Sequence, residues 1–155
     1  MHPFNASRPP GLAVGLAMAG LVPFVTGALG LWVIPEGWRV WVMEELLAFA
    51  AVMLAFMGAI HWGLAMRADE SSRDAPIQLG LSVIPPLLGW FALSLPIDFA
   101  VPLFFCAFAA LYYADIWAVM HGLAPAWYTT LRKPISLVAV GSMALAWGAT
   151  LVRNY

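Results

Sequence analysis

Two ionisable side chains stand inside long apolar stretches: His61 within Leu46–Met66 and Asp115 within Phe99–Met120. A carboxylate in hydrocarbon is costly unless it is protonated, paired or wet, so each such residue calls for a partner. An imidazole and a carboxylate at one depth can share a proton or grip the polar end of a small molecule. Tyr112, one helical turn before Asp115, adds a phenol on the same face. Arg67 and Arg132 follow at the mouth of the same region, and either can neutralise Asp115 or hold an anionic headgroup. His61, Asp115, Tyr112, Arg67 and Arg132 therefore form the candidate polar or ligand-binding cluster. Three roles are open to it: a buried pair that fixes helix register, a proton-handling or ligand-binding site, or an Asp115 solvated at the interface.

Other chemistry finds less support. Glu44 and Glu45 are adjacent, so on a helix they point in different directions and make a poor acid–base pair. With Arg39 nearby, they are expected to cap the second apolar helix. His121 and His61 are the two histidines outside the tail that could ligate haem, but His121 lies at the end of its stretch, beside Gly122. The single cysteine, Cys106, excludes an internal disulfide, a Cys-rich zinc site and an iron–sulfur cluster. G-x-S-x-G, G-x-G-x-x-G, P-loop and H-E-x-x-H signatures do not occur. The expectation is a protein with no catalytic residues, no metal site and no cofactor.

The elements that position these residues are apolar helices. Of 155 residues, 63% are hydrophobic and 10% charged, and the mean hydropathy is +0.87, values that point to a bilayer rather than a soluble domain. With a net charge of −1, nothing in the chain resembles a nucleic-acid-binding surface. Five stretches approach the ~20 residues a spanning helix needs: 11–34, 46–66, 77–95, 99–120 and 135–152. The chain is read as one domain, residues 1–155, all-α, a membrane bundle of five transmembrane helices. Although Ala17-Met18-Ala19 looks like a cleavage site, the apolar run continues to Ile34, so the first helix is expected to be retained. Arg8, Arg67, Arg73, Arg132 and Lys133 fall on one side and Arg39 and Arg153 on the other, which favours an N-in, C-out orientation. His61 and Asp115 then both lie roughly 8–9 Å to the cytoplasmic side of the midplane.

Small residues recur at every fourth position, as in Ala51-Ala55-Ala59-Gly63 and Cys106-Ala110-Ala114-Ala118, a spacing that permits close helix packing in lipid. Pro85-Pro86 is expected to kink the third span and free backbone carbonyls. The segment Pro125–Pro134 is expected to be a cytoplasmic loop, with Trp127 and Tyr128 as an interfacial anchor beside Arg132 and Lys133. Pro134 would then open the last helix.

Several runs together resemble a known family: Ala55-Phe56-Met57-Gly58-Ala59-Ile60-His61-Trp62-Gly63, Ile84-Pro85-Pro86-Leu87-Leu88-Gly89-Trp90, Asp115, Pro125-Ala126-Trp127-Tyr128 through Leu131-Arg132, and Leu21-Val22-Pro23-Phe24. The family is a domain of unknown function in membrane proteins that includes bacterial members and the mitochondrial transmembrane protein sixty-nine. The resemblance implies a five-helix protein of a bacterial inner membrane or its mitochondrial counterpart, and it implies no particular activity. The tryptophan-rich sensory proteins share the length and helix count, but their W-x-P-P segment has no counterpart at Pro35-Glu36-Gly37-Trp38-Arg39.

The small loops and the absence of a catalytic set lead to the expectation of a non-enzymatic accessory, assembly or regulatory component of an energy-converting inner membrane. The alternative is a binding or proton-coupled transport protein for a quinone, porphyrin or lipid that uses His61 and Asp115. Expected partners are the bilayer, other membrane proteins and a small hydrophobic ligand.

Overall fold

The computed structural model describes residues 8–67 and 74–152. His2, Arg73 and Arg153, and most of the charged segment between the second and third spans, lie outside the described residues. Six helices make five apolar spans, and there is no strand among the described residues.

The first span is broken in two: α1 (Gly11–Ala19) and α2 (Val22–Val33). The break follows from Pro23, which has no N–H to offer the Ala19 carbonyl. The chain tightens there, with the Leu21 amide donating to the Met18 carbonyl at 3.1 Å. The two pieces then differ in how they pack. α2 buries Phe24, Ala28 and Leu31, whereas α1 buries nothing.

α3 runs from Glu36 to Ala65 and begins ten residues earlier than the expected start at residue 46. Pro35 ends the preceding turn, and Glu36 places negative charge in the first turn, where the helix dipole favours it. Glu44 and Glu45 are therefore exposed residues inside the helix, not its cap. At 1.5 Å per residue its 30 residues measure about 45 Å, against a ~30 Å hydrocarbon slab. The excess accommodates the polar first turns, where Trp38 and Trp41 meet edge to face at 6.0 Å.

α4 (Ala75–Ala92) continues through Pro85 and Pro86. Pro86 leaves the Ser82 carbonyl without its usual amide donor, and Gly58 of α3 packs closely against this stretch. A Cβ at Gly58 would lie 3.0 Å from Pro85 and 3.2 Å from the Ser82 oxygen. About two turns along, Gly89 sits nearly as tightly on Ala51, whose Cα would lie 3.2 Å from an added Cβ. These two glycines explain why α3 and α4 form the most extensive helix pair in the bundle. By contrast, Ala59, Gly63, Cys106 and Ala110, expected to serve close packing, are exposed on the outside of the bundle.

α5 (Ile97–Met120) ends in a left-handed Gly122, φ 72°, with the Leu123 amide closing onto the Ala118 carbonyl at 2.9 Å. This glycine-terminated helix end turns the chain back within a few residues. α6 (Trp127–Val152) starts at once. The expected loop at 125–134 is thus mostly helix, and Pro134 is interior to α6, not its first turn. The core between α2, α3 and α5 is built on Phe24, whose ring meets Phe49 at 5.2 Å and Phe108 at 5.5 Å, both edge-on.

Candidate functional site

Four helices each bring one polar side chain to the same level, close to the end of the bundle that holds the α3–α4 and α5–α6 connections. His61 is four residues from the end of α3 and Asp115 five from the end of α5; Gln78 is three residues into α4 and Arg132 five into α6. At 1.5 Å per residue all four lie roughly 5–8 Å from their helix ends. All four are buried: His61 and Asp115 are 0% exposed, Gln78 2% and Arg132 3%.

The close α3–α4 approach sets the first contact. Gly58 is one turn before His61, and Ser82, whose carbonyl it meets, is one turn after Gln78. With the backbones this near, His61 Nδ1 and Gln78 Oε1 stand 2.5 Å apart. On its other side, His61 Nε2 lies 3.3 Å from Asp115 Oδ1, an electrostatic contact rather than an aligned hydrogen bond.

The α5–α6 turn sets the rest. Arg132 Nε donates to Asp115 Oδ2 at 2.6 Å, and Arg132 Nη2 faces the same oxygen. The Tyr128 hydroxyl donates to Asp115 Oδ1 at 3.0 Å, and the guanidinium carbon stands 5.9 Å from the centre of the Tyr128 ring. Arg132 and Tyr128 are four residues apart on one face of α6, so a single helix turn presents both to the carboxylate. The charges of Asp115 and Arg132 cancel each other, the arrangement a low-dielectric interior requires of buried charge.

Of the residues expected to cluster, the structure brings His61, Asp115 and Arg132 together. Tyr112 is half-buried one turn before Asp115, and the phenol that reaches the carboxylate is Tyr128. Arg67 is exposed in the turn after α3. Tyr128 is buried and belongs to the cluster, so it is not an interfacial anchor. Trp127 is half-buried, and its indole nitrogen has no hydrogen-bond partner among the described residues. His121 is exposed at the end of α5, its Nδ1 2.9 Å from the Trp117 carbonyl oxygen. No group of three His, Cys, Asp or Glu side chains that could hold a metal ion occurs among the described residues. The sequence signal for Gln78 was weak: an uncharged amide soon after a charged segment.

A cavity of about 520 Å³ opens beside the cluster, between α1, α3 and α6. Leu16 and Ala17 line it from α1, Phe56 and Ile60 from α3, and Tyr128 and Arg132 from α6. It exists because α1 stands off from the bundle and touches α6 only lightly. The volume lies within the ~300–1,000 Å³ range of small-molecule sites.

Residues 9–148 match the family described as "Protein of unknown function (DUF3429)". The chain belongs to this family. It is 31% identical over 138 residues to Transmembrane protein 69 of Xenopus tropicalis, covering 84% of this chain and 51% of that protein. Transmembrane protein 69 of Mus musculus is 28% identical over 129 residues, covering 82% of this chain and 51% of the mouse protein. The chain thus spans about half the length of the curated relatives it matches. No solved structure matches it. Together with the five apolar helices, these relatives identify an integral membrane protein.

Proposed function

We propose that this protein is a non-enzymatic binding protein for a small lipophilic molecule, taken up laterally from the bilayer between α1, α3 and α6. The carrying observation is that an apolar cavity of about 520 Å³ has Arg132 and Tyr128 in its wall, the two side chains that hold the buried Asp115 carboxylate behind them. A pair that only fixed helix register would need no such space beside it. The cavity provides the apolar surface and the pair the oriented polar group, the combination expected of ligand sites. The carboxylate already accepts from Arg132 Nε and the Tyr128 hydroxyl and is ion-paired to Arg132 Nη2, so it is suited to holding a partner in place rather than attacking one. The distribution of Lys and Arg supports an N-in orientation, and with it the cavity belongs to the cytoplasmic half of the membrane.

The test is purification in a mild detergent followed by native mass spectrometry, on the unmodified chain and on Ala17→Trp, which fills the cavity from the sparsely packed α1. A small molecule retained by the former and lost by the latter is the expected result. A protein that carries none, and whose thermal stability no added lipophile raises, would refute the proposal.

A further inference from the structure

We infer that the molecule held between α1, α3 and α6 is an uncharged lipophile with a carbonyl head, of the prenylquinone type, whose oxygen is received by the Arg132 guanidinium. The inference rests on the binding function proposed above and names the ligand class.

The polar inventory of the cavity sets the head group. Of the residues lining it, only Tyr128 and Arg132 have polar side chains; the rest are Ala, Gly, Val, Leu, Ile, Met and Phe. The Tyr128 hydroxyl is turned to Asp115. Arg132 meets that carboxylate side-on through Nε and Nη2, which turns its Nη1 amino group away from it. Arginine has five N–H donors and no acceptor, so the wall offers hydrogen to a ligand and asks for an oxygen.

Charge then narrows the class. The Arg132–Asp115 pair is neutral, and an anionic head would bring an uncompensated charge into an apolar setting. An ammonium would face the guanidinium. A phospholipid head needs polar surroundings that these walls lack. A carbonyl oxygen takes the guanidinium hydrogen and adds no charge. Two rings in the wall, Phe56 and Tyr128, favour a flat conjugated head over a flexible ester, and the remaining aliphatic surface suits a prenyl or alkyl tail.

The experiment uses the full chain in maltoside micelles and five probes with the same decyl tail: decylbenzoquinone, a decyl ester, decanoate, decylamine and decylbenzene. Affinities are read by titration in native mass spectrometry and by thermal shift. The expected order puts the quinone first, about tenfold or more tighter than decylbenzene, as one charge-assisted hydrogen bond implies. Arg132→Lys keeps the positive charge but loses the second donor edge, and it should bring that ratio close to one; the probe series on the unmodified protein decides the question even where this variant does not fold. Tightest binding of decanoate, decylamine or the ester overturns the inference. Equal binding of all five also overturns it while leaving the binding function standing. Binding of none, with Ala17→Trp indistinguishable from the parent, overturns both.

Discussion

Neutralising Asp115 should harm the fold far more than a like-sized polar substitution suggests. Asp115→Asn preserves volume and one acceptor oxygen, but the new amide presents N–H groups to a guanidinium 3% exposed whose neighbour, Tyr128, offers only a ring face and a hydroxyl. Removing one member of a buried ion pair costs about 3–5 kcal/mol, chiefly because the other charge stays buried without compensation. Arg132→Gln should cost a similar amount for the converse reason. The double variant Asp115→Asn, Arg132→Gln places two neutral amides face to face and should recover roughly 2 kcal/mol or more of the summed loss. The assay is a double-mutant cycle on reversible unfolding in mixed micelles, with helicity followed by circular dichroism. Polar side-chain contacts in membrane proteins average about 0.6 kcal/mol, which sets the decision level. If Asp115→Asn costs under about 1 kcal/mol and the double variant is merely additive, the pair is not a coupled buried salt bridge and the reasoning fails.

Three further outcomes are expected. Gly58→Ala should destabilise by about 1–3 kcal/mol, because its Cβ must displace Pro85, while Gly63→Ala, with open space around it, should stay within about 1 kcal/mol of the parent; thermal unfolding of both in detergent checks the contrast. Tyr128→Phe removes a hydroxyl from the Asp115 carboxylate without leaving a void and should cost about 1 kcal/mol by the same measurement. Five spans put the two ends of the chain on opposite faces of the membrane, so cysteine or epitope tags at the two ends should label from opposite sides in oriented vesicles; labelling from one side would refute the count.

Hydropathy showed the five spans because each carries enough apolar residues to dominate its window. It misplaced two helix starts for one shared reason. Arg39, Glu44 and Glu45, and likewise Arg132, Lys133 and Pro134, read as loop when charge is equated with water. α3 is long enough to carry its charges beyond the hydrocarbon, and α6 neutralises Arg132 against Asp115. His61 and Asp115 were legible as a pair because charge in an apolar run is conspicuous and their depths agree. Gln78 was not, since an uncharged amide near a span end is ordinary, and its role appears only once Gly58 brings α3 against α4. Tyr112 attracted attention through its spacing from Asp115 on one helix. The phenol in contact is Tyr128, thirteen residues away, placed there by the Gly122 turn, a tertiary effect that periodicity along α5 cannot register. The cavity had no sequence signature, because it arises from α1 failing to pack.

The Arg132–Asp115 pair also bears on how the chain enters the membrane. An arginine near the centre of an isolated helix raises the insertion free energy by up to roughly 2.5–3.5 kcal/mol, and an aspartate does the same. Asp115 and Arg132 lie nearer a helix end than the centre, so each of α5 and α6 carries part of this cost, and the Gly122 turn holds the two residues side by side. The two helices therefore have reason to leave the translocon as one hairpin, with Asp115 waiting at the channel until Arg132 emerges from the ribosome. In a glycosylation-mapping assay, Asp115→Leu should ease integration of α5 and leave the first turns of α6 lagging outside the bilayer.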